Sequence, residues 1–204
     1  FLRNSTIIIG EYKIIISWSS TILTKYHDCC IIYSITSWFS TKRQGDIWHI
    51  MIISFTGHSQ IVSSNEIKEK VKEHIRSLIP ANEPLECYLG GYGDFDIVCA
   101  RACKELKNEY ACIQLIYISP YISIREQEKI KEMQCAGLCD STIFPPIENT
   151  PPRYAISKRN EWMMSQADIV IAYVNHHFGG AYKSFQIAKR KNKRIINICD
   201  LCQP

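Results

Sequence analysis

No stretch of this sequence reaches the roughly eighteen consecutive apolar residues that a membrane span requires. The longest aliphatic runs, Ile7-Ile8-Ile9 and Ile14-Ile15-Ile16, are broken by Glu11 and Lys13. Neither sign of charge is in large excess. The net charge of +4 and a pI near 8.5 neither demand a nucleic-acid partner nor forbid one. The balance of 46% apolar and 22% charged residues excludes intrinsic disorder, collagen and coiled coil as descriptions of the whole chain. No stretch reads as a secretory signal peptide, and the ten cysteines are expected as free thiols in a reducing cytoplasm rather than as a disulfide scaffold. Cys135 with Cys139 and Cys199 with Cys202 have spacings that zinc could use. Neither pair sits in a turn-rich knuckle, so small core residues are the expectation and no metal site is assigned.

Residues 1–50 lack Ala, Pro and Met altogether and hold twelve Ile and twelve Ser or Thr. Their hydrophobic residues come in triplets, with neither helical nor strand period. The segment is therefore expected to be translated upstream sequence ahead of a start at Met51, the alternative being a real β-prone extension. Abundant peptides from Tyr12 to Lys42 in the native protein would decide for the extension. Residues 51–204 are expected to form one domain.

From Met51 onward, apolar runs alternate with helical patterns. Strands are expected at 52–56, 85–89, 113–119, 141–144, 168–174 and 194–198. Ser63 and Glu66 have capping-box spacing ahead of an apolar stripe at Ile67, Val71, Ile75 and Leu78. Further helices are expected near 97–106, 123–137, 153–166 and 181–191. Near-continuous apolar strands separated by helices imply an α/β fold, Rossmann-like and three-layered, with a mostly parallel sheet flanked by helices. Ligand sites in such sheets lie at the C-terminal strand ends, near a switch in strand order. Gly57-His58, the 90–96 loop and residues 175–180 fall at those ends.

Loop 90–96 places Gly90, Gly91 and Gly93 between a strand and a helix, where backbone N–H groups can approach a phosphate. It is neither a G-x-G-x-x-G fingerprint nor a P-loop, and a tight βα turn explains it equally. Asp94 and Asp96 could cap the helix, or suit a ribose hydroxyl better than a bare phosphate. Gly179-Gly180 stands at the corresponding place in a later βα unit, and the two loops together suggest a crevice for a nucleotide. Arg159 could clamp a phosphate bidentately or be a solvated helix-face arginine beside Lys158. His58 could act as acid–base group or as a hydrogen-bonded loop residue. The basic run from Lys189 to Arg194 could meet nucleic acid, though cations at a helix C-terminus are the commoner arrangement.

The series Ile-Ser-Phe-Thr-Gly-His (53–58), Gly-Gly-Tyr-Gly-Asp-Phe-Asp (90–96), Ile-Ser-Lys-Arg-Asn-Glu-Trp-Met (156–163) and Asp-Ile-Val-Ile-Ala-Tyr-Val (168–174), then Gly-Gly-Ala (179–181), resembles the YpsA-like branch of the SLOG superfamily. That superfamily groups the DNA-processing protein Smf/DprA with the cytokinin-activating Lonely Guy enzymes. The resemblance implies a Rossmann-like fold and a nucleotide-type ligand lying across both glycine loops, with Arg159 and Asn160 at the mouth. Two departures stand out. Ser59 replaces the Arg that usually follows Gly-His. At the second loop Tyr182, Lys183 and Gln186 stand where Lonely Guy enzymes carry Gly, Thr and a catalytic Glu.

The expected function is binding or sensing of a nucleotide-derived ligand, with no certain cofactor. Its expected ligand contacts are Gly57, His58, Gly90, Gly91, Gly93, Asp94, Asp96, Arg159, Asn160, Gly179, Gly180 and Lys183. One alternative is a phosphoribohydrolase-like N-glycosidic hydrolase, with Asp96, Glu161 and Arg159 as catalytic candidates. The other is a single-stranded DNA-binding protein of the Smf/DprA type, a less favoured partner. Homo-oligomerisation is left open, and no membrane partner is expected.

Overall fold

Residues 51–57 have no polar side chain larger than Ser or Thr, so the segment can be buried on both faces, and a central strand of a helix-covered sheet demands that. The computed structural model describes residues 3–9, 12–18, 50–61, 63–79 and 84–199. The chain divides into two units, Phe1–Ile47 and Trp48–Pro204. In the first, β1 (Arg3–Ile9) and β2 (Tyr12–Trp18) form an antiparallel pair, with Arg3 opposite Trp18 and Ile9 opposite Tyr12. The rest of the isoleucine-rich stretch, 19–49, lies outside the described residues, as does Cys202.

The second unit alternates strand and helix throughout. Its elements are β3 (Met51–Gly57), α1 (Ser64–Leu78), β4 (Leu85–Leu89), α2 (Asp94–Glu109), β5 (Ile113–Ile118) and α3 (Ile124–Cys135). They continue with β6 (Ser141–Ile143), α4 (Pro152–Gln166), β7 (Ile169–Tyr173), α5 (Gly179–Arg190) and β8 (Arg194–Asn197). The six strands form one parallel sheet in the order β6-β5-β4-β3-β7-β8. This is the expected three-layer α/β fold, with every pairing parallel.

The strand order explains which face each helix covers. From β3 the chain steps outward through β4 and β5 to β6, then returns to lay β7 on the other side of β3. Crossovers of one hand running in opposite directions put their helices on opposite faces. On one face Ile53, Phe55, Leu85, Cys87, Leu115 and Ile171 pack with Ile67, Val71 and Ile75 of α1 and with Val98, Cys99 and Leu106 of α2. Tyr117 packs on Ile130 of α3 on that same side. On the other face Tyr88, Ile116, Ile118 and Val170 pack with Met163 and Met164 of α4 and Ala188 of α5. Odd and even strand residues thus serve opposite layers, as a pleat requires.

The capping box expected at Ser63 does not form. Ser63 adopts a left-handed conformation (φ 61°, ψ 54°) and its side chain accepts no capping bond, because an N-cap side chain reaches the helix N–H groups from extended backbone. Glu66 pairs instead with Lys70 at 2.9 Å. The cap that does form is at α3, where Ser123 Oγ accepts from Glu126 N–H at 3.2 Å. Among the described residues no helix is long and apolar enough to cross a membrane, and no group of His, Cys, Asp and Glu is placed to hold a metal ion.

Candidate functional site

β3 and β7 are neighbours paired to their last residues, Gly57 and Tyr173, and their outgoing connections leave for opposite faces of the sheet, which opens a crevice between the two loops. Backbone and side-chain bonds tie the two exits together. His58 N–H donates to Tyr173 O at 3.2 Å, and Asn175 N–H donates to His58 Nε2 at 3.2 Å. Asn197, at the end of β8, brackets Val174 by accepting its N–H (3.1 Å) and donating to its carbonyl (3.0 Å). Thr56 Oγ1 donates to Ala181 O at 3.4 Å and fixes the start of α5 against β3. Between these loops lies a cleft of about 490 Å³. Its walls are residues 55–60, Gly90, Tyr92 and Asp96, one side of α4, and the 175–181 segment without His177.

The first glycine loop is shaped by what it must let past. A Cβ on Gly57 would lie 2.3 Å from the Phe95 ring. A Cβ on Gly90 would lie 2.6 Å from Arg159 Nη1 and 2.8 Å from Asp96 Oδ2, so this glycine makes room for a guanidinium and a carboxylate. Gly91 (φ 69°) and Gly93 (φ 99°) take left-handed backbone, which a side chain would strain. Asp96 does not cap α2 from the N-cap position. From the first turn its Oδ2 accepts Tyr92 N–H at 2.9 Å and so closes the loop.

Arg159 is the most unusual group in the cleft. It is 1% exposed, on an α4 whose N-terminal half is otherwise largely solvated. Its Nη1 donates to Ile118 O at 3.2 Å, and its Nε has no hydrogen-bond partner among the described residues. Burial pushes the guanidinium below its ordinary value, and the Asp96 carboxylate opposes that. Burial likewise pushes Asp96 up, with Arg159 opposing. The solvated-arginine reading is thereby excluded.

The second glycine loop is chemically different. α5 begins at Gly179 (φ 87°) with no side-chain cap and no acidic residue in its first turn, whereas α2 opens with Asp94 and Asp96. Among the described residues nothing lies within 4 Å of a Cβ built on Gly179 or Gly180. The helix start thus has room beside it and no side-chain cap, at the positive end of the helix dipole.

Two sets of residues escape the sequence pattern. His58, His176 and Phe178 stack in a column, with ring centroids 3.5 Å and 3.8 Å apart. Behind the first glycine loop, Glu126 accepts from Tyr117 OH, from Ser119 Oγ (2.9 Å) and from Tyr92 OH (3.3 Å). Lys129 Nζ donates to Gly91 O (3.0 Å) and Tyr117 OH (2.9 Å) and sits 3.8 Å from the Tyr92 ring centre. This cluster anchors the loop. Its one legible signal is Ser123-x-x-Glu126, a cap spacing on the third helix.

Of the expected contacts, Gly57, His58, Gly90, Asp96, Arg159, Asn160, Gly179 and Gly180 line the cleft. Gly91 and Gly93 shape its loop from behind. Asp94 is exposed and does not line it. Lys183 is exposed one turn along α5, in a separate depression with Tyr182 and Gln186. Gln186 Nε2 donates to Tyr182 OH at 2.7 Å. Glu161 pairs with Lys158 at 2.9 Å, which holds its carboxyl below the ordinary value, and it too lies off the cleft.

No protein-family model matches the chain, and no curated protein matches it. Solved structures similar to this chain include two DNA processing proteins. DNA processing protein A of Streptococcus pneumoniae is 16% identical with a TM-score of 0.51, over 72% of this chain and 49% of that one. DNA processing protein A of Helicobacter pylori, described for its single-stranded DNA binding mode, is 16% identical with a TM-score of 0.44, over 71% of this chain and 63% of that one. This chain thus spans about half of the first protein and under two thirds of the second. The first likeness shows a shared fold and agrees with the SLOG resemblance at that level.

Proposed function

We propose that the 51–204 domain, read as a YpsA-like SLOG member, binds a nucleotide-derived ligand in the cleft at the β3–β7 switch point. The observation that carries this reading is Arg159. A buried guanidinium with an unpartnered Nε, lining an open cleft, is costly unless a ligand completes it. The two glycine loops divide the ligand between them. The acid-free, uncapped start of α5 takes a phosphate. The Asp96 side carries a carboxylate that repels phosphate and accepts from a hydroxyl, so it takes the sugar.

Binding is favoured over turnover. Of the catalytic candidates only Asp96 and Arg159 line the cleft, and Asp96 is already held by Tyr92 N–H. Single-stranded DNA is the weaker partner. The exposed cations at Lys189, Arg190, Lys191 and Arg194 stand at the C-terminal end of α5, a helix length of about 18 Å from its glycine start. A strand threading the cleft would not meet them.

A thermal-shift series on the full chain with AMP, NAD, ADP-ribose, cyclic nucleotides and a short oligonucleotide tests the reading. A mononucleotide or dinucleotide at ~100 times its Kd adds about 2.7 kcal/mol of stability, a Tm rise of roughly 5–10 °C for a domain of this size. A rise with the oligonucleotide alone, steeply salt-dependent, would transfer the site to DNA. No rise with any of them would remove the nucleotide reading.

A further inference from the structure

Phe178 is the N-cap of α5 and is 70% exposed, an unusual place for a large apolar ring. It is not loose there. One face rests on His176, and His176 rests on His58, whose Nε2 is fixed by Asn175 N–H. The column is therefore anchored in the sheet at one end and ends in an open aromatic face at the other. That face stands one residue from the uncapped N–H groups of Gly179 and Gly180, and all three rings line the cleft.

We infer that Phe178 is a stacking platform for the ligand's base, so that the site selects nucleotides over sugar phosphates. This rests on the nucleotide reading of the cleft and adds the group that recognises the base. An aromatic ring with one face already covered and preorganised loses little freedom when a base covers the other. Stacking tolerates any base, since each has a π-face, so the platform sets a class rather than a sequence. The adjacent helix start holds the phosphate, and the pair of contacts fixes the span between base and phosphate.

Calorimetric titration of the full chain with AMP and with ribose 5-phosphate tests the platform. AMP is expected to bind at least about 10-fold more tightly than ribose 5-phosphate. Phe178→Ala is expected to remove that difference by weakening AMP alone, and Phe178→Trp to restore it. The ring is exposed, so neither variant threatens the fold. A 2-aminopurine nucleotide is expected to lose fluorescence on binding to the native chain and to keep it with Phe178→Ala. Equal affinities for AMP and ribose 5-phosphate, unchanged by Phe178→Ala, overturn the platform and leave the phosphate site standing. Silence from AMP and ribose 5-phosphate overturns the platform as a reader of mononucleotides, and with no Tm rise from any nucleotide of the thermal-shift series it overturns the nucleotide reading as well.

Discussion

His58 shows how one residue ties the fold to the site. Its Nε2 accepts a backbone N–H, so the ring is neutral with its proton on Nδ1. Burial, and then the His176 ring beside it, hold its pKa below the usual histidine value. A group with a lowered folded-state pKa leaves stability intact above its unfolded value, near 6.5, and loses it as pH falls through the folded value. Tm is therefore expected to fall between pH ~7 and pH ~5, with a shallower fall in His58→Gln, whose amide oxygen can still accept. Melting curves across that range check it, and identical slopes in the two proteins would count against it. The sequence shows His58 at a strand end but not what it touches. His176 and Phe178 are far from it in the chain, and only the pairing of β3 with β7 stacks them. Arg159 is equally ambiguous in sequence, because its neighbours Ser157 and Lys158 are exposed and helical spacing alone does not say which turn faces the sheet.

At the scale of elements, α1 and α2 are held by packing beneath a row of ion pairs. Glu105 receives Lys68 at 2.7 Å and Lys72 at 2.8 Å, and Arg76 pairs with Glu109 at 2.9 Å. The two lysines hold the Glu105 carboxyl down at about 2. Its contribution is therefore full above pH ~4.5, the ordinary glutamate value, and lost as pH falls toward about 2. The group is well exposed, so solvent screening keeps the contribution near 1 kcal/mol or less. Glu105→Gln is expected to lower stability by about 0.5 kcal/mol in dilute buffer and by less in ~1 M salt. Denaturant titrations at both salt concentrations measure this, and a salt-independent loss would contradict it. The elements themselves are readable in sequence, since apolar runs such as 85–89 and 113–118 admit only buried strands between helical stripes. The cap at α1 is not. Ser63 has the right side chain, and its left-handed backbone, which no spacing rule reports, aims it elsewhere.

At the scale of the molecule, a reversal of strand order in an all-parallel sheet creates the cleft, and the scarce glycines are spent on it. Six of the nine glycines, namely Gly57, Gly90, Gly91, Gly93, Gly179 and Gly180, stand at C-terminal strand ends. That concentration makes the site's location legible in the sequence itself. The strand order, which chooses the β3–β7 gap among all strand ends, is set by long-range pairing that local pattern does not encode. The proposed division of labour between the loops also depends on tertiary geometry: four of these glycines make room for protein atoms, whereas no described residue comes within 4 Å of a Cβ on Gly179 or Gly180.

The most direct test of that division is the ligand-induced Tm rise in Gly180→Asp. Gly180 has ordinary helical φ and open space, and an aspartate in the first turn favours the helix dipole, so the variant is expected to be as stable as the native chain or slightly more so. The same carboxylate would stand where the proposed phosphate lies. An unchanged or raised Tm without ligand is expected, with no rise on adding the nucleotide that stabilises the native chain. A full ligand-induced rise in Gly180→Asp would contradict a phosphate at this helix start.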